Sequence, residues 1–123
     1  MINYWLKSAQ EDIITAESLF KTQRFLPCLF YCHLFIEKII KAIIIKNTKK
    51  DAPYGHKLSR LAKSTNLPFA QKQVNLLNDL TAFNIKARYQ DYKFSLYKKA
   101  TKTYTLNYLI KAKKLYLWIK KSL

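Results

Sequence analysis

The 123-residue chain contains one glycine and three prolines. Glycine and proline supply most tight turns, so their scarcity argues against a sheet protein with many hairpins. A single glycine also excludes the glycine-rich loops of Walker-type and dinucleotide-binding sites, where several backbone positions must approach phosphate closely. We therefore predict helices joined by few loops, in one domain that spans residues 1–123.

Cysteine and histidine are scarce as well, with two of each. Cys28, Cys32 and His33 are the only clustered soft ligands, and positions 32 and 33 point to different faces of a helix, so we expect no metal site and no cofactor. Cys28 and Cys32 lie in an apolar helical stretch, which favours two buried free thiols. The lack of a disulfide framework agrees with a reducing compartment, and we expect a cytoplasmic protein.

The chain also lacks a long uninterrupted apolar run. Lys7 and Glu11 interrupt the first segment, so no secretory signal is expected. The most apolar stretch, residues 27–45, contains Glu37 and Lys41, which favours a core helix over a membrane span. We therefore expect no membrane partner.

Acidic residues are the last shortage, with seven Asp and Glu against 23 Lys and Arg and a net charge of +16. Residues 1–48 carry +2 and residues 49–83 carry +4, whereas residues 84–123 combine eleven basic residues with one acidic residue, for +10. An AT-rich genome would raise lysine, but it would raise glutamate too. The asymmetry therefore favours a polyanionic partner, such as a nucleotide or RNA, over a merely solvated lysine surface.

Apolar residues recur at helical spacing in four long segments, and the predicted fold class is all-α: an up-and-down bundle of four main helices plus one short helix. The main helices are expected at about 3–22, 27–46, 70–86 and 102–121, the short helix around residues 58–62, a loop at 47–56 and an irregular segment at 92–100. Two i,i+4 ion pairs are expected, one between Glu17 and Lys21 and one between Glu37 and Lys41 on the polar edge of the second helix.

Arginine is used at only three positions, and one of them, Arg88, stands beside two tyrosines and an aspartate. A guanidinium grips phosphate bidentately and stacks on rings, which an ammonium does not do. We therefore predict phosphate contacts from Arg88 and Lys86, and a base or sugar against Tyr89 or Tyr92. In the alternative interpretation, Arg88 and Asp91 pair and pin the turn after the helix.

The two histidines have separate interpretations. His33 lies inside the apolar helix, where a hydrogen-bonded core or interface histidine is expected. His56 closes the predicted loop, and a capping or packing role is one interpretation. The other is a general base or a phosphate contact, with Lys57 and Arg60 nearby.

Several spacings form a set along the chain: Trp5-x3-Ala9-x2-Asp12-x3-Ala16-x2-Leu19, Glu37-Lys38-x2-Lys41-Ala42, Pro53-x2-His56-x-Leu58-x2-Leu61, Arg88-Tyr89-x-Asp91 and Ala112. In this order they resemble the HEPN domain, the nucleotide-binding helical domain of prokaryotes and higher eukaryotes. The resemblance covers nearly the whole chain. Its most specific part joins the Glu37, Lys38 and Lys41 motif to the later motif that ends at Asp91, and it implies a structural role for these residues.

The resemblance implies a helical bundle that is usually a homodimer. Many members are encoded beside a separate minimal nucleotidyltransferase, and the pair is regarded as a nucleotide-binding or toxin–antitoxin module. Other members are metal-independent ribonucleases, in which an arginine is followed after four to six residues by a histidine. No arginine of this chain has a histidine at that distance.

The resemblance therefore favours a non-catalytic, nucleotide- or nucleic-acid-binding subunit whose nucleotidyltransferase partner supplies the chemistry. The alternative is a divergent metal-independent ribonuclease toxin. In that enzyme His56 would be the base and Arg60 the cation, on one helical face and in reversed order relative to the family motif.

Overall fold

The computed structural model describes residues 2–88 and 90–123, and the side chains of that part except those within residues 87–93. This part contains no strand and six helices: α1 (Ile2–Lys21), α2 (Phe25–Thr48), α3 (Leu58–Lys63), α4 (Gln71–Arg88), α5 (Gln90–Lys99) and α6 (Lys102–Lys120). The predicted all-α bundle with four main helices is confirmed, and α3 is the predicted short helix.

The helix α2 lies at the centre of the bundle. Helix α1 packs along it, and α4 and α6 cover further faces. Its fully buried side chains are Leu29, Phe35, Ile36, Ile39, Ile40 and Ile43. A helix that is apolar around most of its circumference needs neighbours on several sides, and the surrounding helices supply them. Pro27 lies in the first turn of α2, where a missing N–H removes no intrahelical bond.

Two neighbouring helices meet α2 through the faces that their periodicity predicts. Ala9 and Ala16 of α1 are fully buried, and between them Asp12 pairs with Lys38 of α2 at 2.6 Å. In α6, Ala112 and Ile119 are also fully buried. Small side chains let two helix backbones approach closely, so alanine at these positions brings α1 and α6 against α2.

The predicted irregular segment at 92–100 is wrong, because Gln90–Lys99 forms the helix α5. Among its described side chains Leu96 is the buried apolar one, whereas Phe94 and Tyr97 are exposed. An apolar stripe is what reveals an amphipathic helix in a sequence, and this helix shows none. The segment contains neither glycine nor proline, so nothing in it opposes a helix.

Two further differences between the predicted and the observed structure are local. Helix α2 ends at Thr48, and Lys49 adopts a left-handed conformation (φ 57°) that lets its N–H donate to the Ile45 carbonyl. Glu17 pairs with Lys113 of α6 at 2.7 Å rather than with Lys21, so this ion pair joins two helices. Across the part of the chain that the structure describes, none of the helices has both the length and the apolar character needed to cross a bilayer.

Candidate functional site

Glu37 lies in the middle of α2 and is only 5% exposed. One carboxylate oxygen, Oε2, accepts a hydrogen bond from Lys41 Nζ at 3.1 Å. The other, Oε1, lies 2.8 Å from His56 Nδ1 and 3.6 Å from His33 Nε2. The predicted Glu37–Lys41 pair is confirmed, but it is buried rather than on a polar edge, because the loop that carries His56 covers it. We call Glu37, Lys41, His33 and His56 the Glu37 cluster.

The loop between α2 and α3 brings His56 to this cluster. His33 Nε2–H donates to the backbone carbonyl of His56 at 2.9 Å, since a carbonyl oxygen can only accept. Just beyond, the Leu58 N–H donates to Thr81 Oγ1 of α4 at 3.1 Å. The end of the loop is therefore bound to α2 on one side and to α4 on the other. His33 is the hydrogen-bonded core histidine that the sequence predicts.

The contact with Glu37 orients the His56 ring. A carboxylate accepts only, so His56 donates its Nδ1–H, and Nε2 of the neutral ring keeps its lone pair. The His56 side chain is 47% exposed. A histidine oriented by a buried carboxylate, with its ring half open to solvent, can take up a proton or, when charged, contact a phosphate.

Lys41 closes the other side of the cluster. Its ammonium is largely buried and lies 5.2 Å from the centroid of the Trp5 ring of α1. Together with the Asp12–Lys38 pair, this contact gives the Glu37-Lys38-x2-Lys41 motif a structural explanation, because the motif joins α1 to α2 and α2 to the His56 loop.

His56 and Arg60 belong to different elements of the structure. Helix α3 begins at Leu58, so His56 precedes it, while Arg60 is an exposed residue inside the helix. The expectation that both residues share one helical face is therefore wrong. The backbone at His56 is not helical, and its position is fixed by hydrogen bonds to His33 and Glu37.

The predicted contacts of Arg88, Tyr89, Asp91 and Tyr92 lie outside the described side chains. Position 88 is the last in α4 and follows Thr81 by seven residues. Seven residues make nearly two turns, so the two positions share one face about 10 Å apart along the axis. Thr81 binds the loop beside His56, so the register places the end of α4 on the same side of the bundle. Lys86 is half-buried near this end, but five residues after Thr81 it lies on a different face of α4, so the predicted pairing of Lys86 with Arg88 at one phosphate does not follow from the helix.

A groove between α4 and α6 was not predicted. It has a volume of about 550 Å³, and its lining includes Lys72, Lys111, Lys114 and Asp79. Tyr108 donates a hydrogen bond to Asp79 Oδ2 at 2.9 Å, and burial together with this bond raises the pKa of Tyr108. The sequence showed that residues 84–123, which include α6, carry most of the positive charge. It did not show that α4 packs against α6, and the groove exists only because of that contact.

The remaining candidate ligands are accounted for as follows. Cys28 and Cys32 are buried free thiols, as predicted. Their mutual hydrogen bond and burial raise the pKa of Cys32, which keeps that thiol protonated. Among the residues whose placement is described, no group of three or more His, Cys, Asp or Glu side chains is arranged to hold a metal ion.

Comparisons with known proteins identify the fold and the family of the chain. No curated protein sequence matches it. Among solved structures, the crystal structure of TT1696 from Thermus thermophilus is similar, with a TM-score of 0.82 and 17% sequence identity, over 99% of this chain and 98% of that one. At this identity the likeness shows the fold alone. The family profile described as the HEPN domain matches residues 2–122. The resemblance predicted from the motifs is thus confirmed, and the chain belongs to the HEPN domain family.

Proposed function

We propose that this HEPN protein binds a nucleotide or a nucleic acid, and that a separately encoded minimal nucleotidyltransferase supplies the chemistry in a toxin–antitoxin-like module. The observation that carries the proposal is uncompensated charge. The carboxylates of Asp12, Glu17 and Glu37 are already paired with lysines of the same chain. Within the described part of the chain, Lys111 and Lys114 of α6 form no ion pair. A basic surface of this kind attracts phosphate groups.

The proposed phosphate site lies where His56 and the end of α4 share one side of the bundle. Arg88 supplies one cation, and a protonated His56 adds a second. Tyr89 or Tyr92 provides a ring for the base. The hydrogen bond to Glu37 fixes the orientation of the His56 ring before the ligand binds. Binding therefore costs little conformational entropy at this side chain.

We further propose that the protein is a homodimer that associates through apolar helix faces. Ile110 and Leu117 are exposed on α6, and their spacing of seven residues puts them on one face. Ile14, exposed on α1, lies one turn from Glu17, whose ion pair with Lys113 joins the two helices. Exposed apolar side chains that cluster on neighbouring helices favour a protein contact.

Replacement of Arg88 by alanine is expected to weaken binding of nucleotide or short RNA by about ten- to a hundredfold, because a hydrogen bond to a charged group contributes roughly 1.5–3 kcal/mol. Fluorescence anisotropy with labelled RNA measures the change, and thermal melting is expected to stay the same. The matched control is Lys7→Ala, at an exposed position of α1. Unchanged binding with a collapsed melting temperature would show that Arg88 and Asp91 only pin the turn.

Failure to copurify with a nucleotidyltransferase encoded by an adjacent gene would remove that partner from the proposal.

A second candidate function is supported by the 2.8 Å contact between Glu37 and His56. In a divergent metal-independent ribonuclease, His56 would take the proton of a ribose 2′-hydroxyl while Glu37 holds the ring. The 2′-oxygen would bond to the adjacent phosphorus, and the 5′-oxygen would leave and take up a proton. Because Arg60 does not share a helical face with His56, the cation at the phosphate would come from the end of α4.

If this second function holds, the purified protein cleaves RNA in the presence of a chelator, and His56→Ala lowers the rate by about 10²–10⁴-fold, the usual contribution of a general base. Cleavage of a fluorescent RNA substrate is the measurement, and Lys7→Ala is the control with full activity. Cleavage that survives in the His56 variant would assign the activity to a contaminant or to another site.

A further inference from the structure

A second cavity lies away from the Glu37 cluster, where the start of α2 meets the junction of α5 and α6. Its volume is about 690 Å³, and its lining includes Arg24, Phe25, Tyr97, Lys98 and Thr101. Binding sites for small molecules have volumes of about 300–1,000 Å³, so one nucleotide fits. Pro27, at this cavity, precedes Glu37 by ten residues of α2, or about 15 Å along the axis.

Aromatic rings are unusually open here. Tyr97 is 69% exposed and lines the cavity, and Phe94 on the same short helix is 63% exposed. Phe25, at the start of α2, also lines the cavity. Exposed rings on a lysine-rich surface are the elements on which nucleobases stack, independently of base identity.

The charged side chains that the structure describes at the cavity have one sign. Arg24 and Lys98 line it, and none of the described lining residues is acidic. The ammonium of Lys98 lies 4.8 Å from the centroid of the Phe94 ring, so this cation is held next to an exposed aromatic ring. A guanidinium and an ammonium at the rim of a ring-lined cavity match the phosphate and the base of a single nucleotide.

The backbone adds to this arrangement. The cavity is lined by Arg24 and Phe25 at the beginning of α2 and by Thr101 at the beginning of α6. No side chain caps the start of α2, whereas the Thr101 hydroxyl accepts from the Tyr104 N–H at 3.2 Å. The starts of two long helices thus lie at one cavity, and the positive ends of their dipoles add to the preference of the side chains for an anion.

We infer that this cavity binds one nucleotide unit, with the phosphate at Arg24 and Lys98 and the base against Tyr97. A free nucleotide and the phosphorylated end of an RNA strand present the same chemistry. The inference takes its ligand class from the proposed function, but it uses different residues from the phosphate site at His56 and Arg88. A protein partner seated on α5 is the competing occupant.

The test compares binding of adenosine monophosphate, by calorimetry, with binding of a short 5′-phosphorylated single-stranded RNA, by anisotropy. Tyr97→Ala and Arg24→Ala are each expected to weaken binding about tenfold. Tyr97→Phe retains binding, because the stacking ring remains. Tyr54→Ala, at a fully exposed loop position, and Lys7→Ala are the matched controls without effect. Melting temperatures verify that every variant is folded.

Loss with both ligands assigns the cavity to the nucleotide unit itself, and loss with RNA alone assigns it to a strand end. The inference is overturned if neither ligand binds the wild type, if Tyr97→Ala binds both as tightly as the wild type, or if that variant loses only a copurifying protein. The two sites are distinguishable. Weakening by Tyr97→Ala with no effect of Arg88→Ala leaves this cavity standing and removes the proposed phosphate site, and the reverse pattern removes this cavity.

Discussion

Replacement of Phe35 by alanine is expected to lower the free energy of unfolding by about 3–5 kcal/mol, the usual cost of emptying a buried phenylalanine site. Phe35 is fully buried in α2, and its ring stands edge-on to the Tyr116 ring of α6 at a centroid distance of 6.1 Å. The change therefore opens a cavity between the central helix and the C-terminal helix. Urea denaturation followed by circular dichroism measures it.

The same substitution at Phe94 is the matched control. That ring is 63% exposed, so Phe94→Ala is expected to change the free energy of unfolding by no more than about 0.5 kcal/mol. Equal losses in the two variants would contradict the central position of α2 in the bundle.

Replacement of Glu37 by alanine is the second large effect, and it is expected to lower the free energy of unfolding by about 3 kcal/mol. Glu37 is the counter-ion of Lys41, whose side chain is 11% exposed, and it holds His56 in place. Truncation leaves a buried ammonium without a carboxylate and releases the end of the α2–α3 loop. Thermal and urea denaturation report the loss.

The control is Glu11→Ala, which removes an exposed carboxylate from α1. The double change Glu37→Ala with Lys41→Met is expected to be milder than Glu37→Ala alone, because it removes the uncompensated charge as well. If Glu37→Ala were as mild as Glu11→Ala, the Glu37 cluster would not contribute to stability.

Helices α1, α4 and α6 were predictable because each buries a regular apolar face, and α2 was predictable because it is a long segment that is apolar around most of its circumference. Helix α5 was not, since Phe94 and Tyr97 face solvent and the helix contributes Leu96 to the core. Apolar periodicity detects a helix only through its contact with a core. Thus a short helix with an exposed aromatic surface escapes it.

The candidate site was predictable only in part. The spacing of Glu37 and Lys41 indicated an ion pair, but nothing local indicated that the carboxylate is buried. That burial depends on His56, which is 19 residues further along the chain and is held by contacts to α2 and α4. Likewise Arg24 and Tyr97 line one cavity only because α5 packs near the start of α2. Contacts between distant segments leave no periodic pattern in a sequence.

In the described part of the chain, all five other helices contact α2. Each of these helices therefore shares part of its packing with α2, and the domain is expected to unfold in one cooperative transition. The cavity at Arg24 and the Glu37 cluster lie on this same helix, near its start and at its middle. Through thermodynamic linkage, a ligand captured at either place raises the melting temperature of the entire bundle, so one thermal-shift titration reports on both.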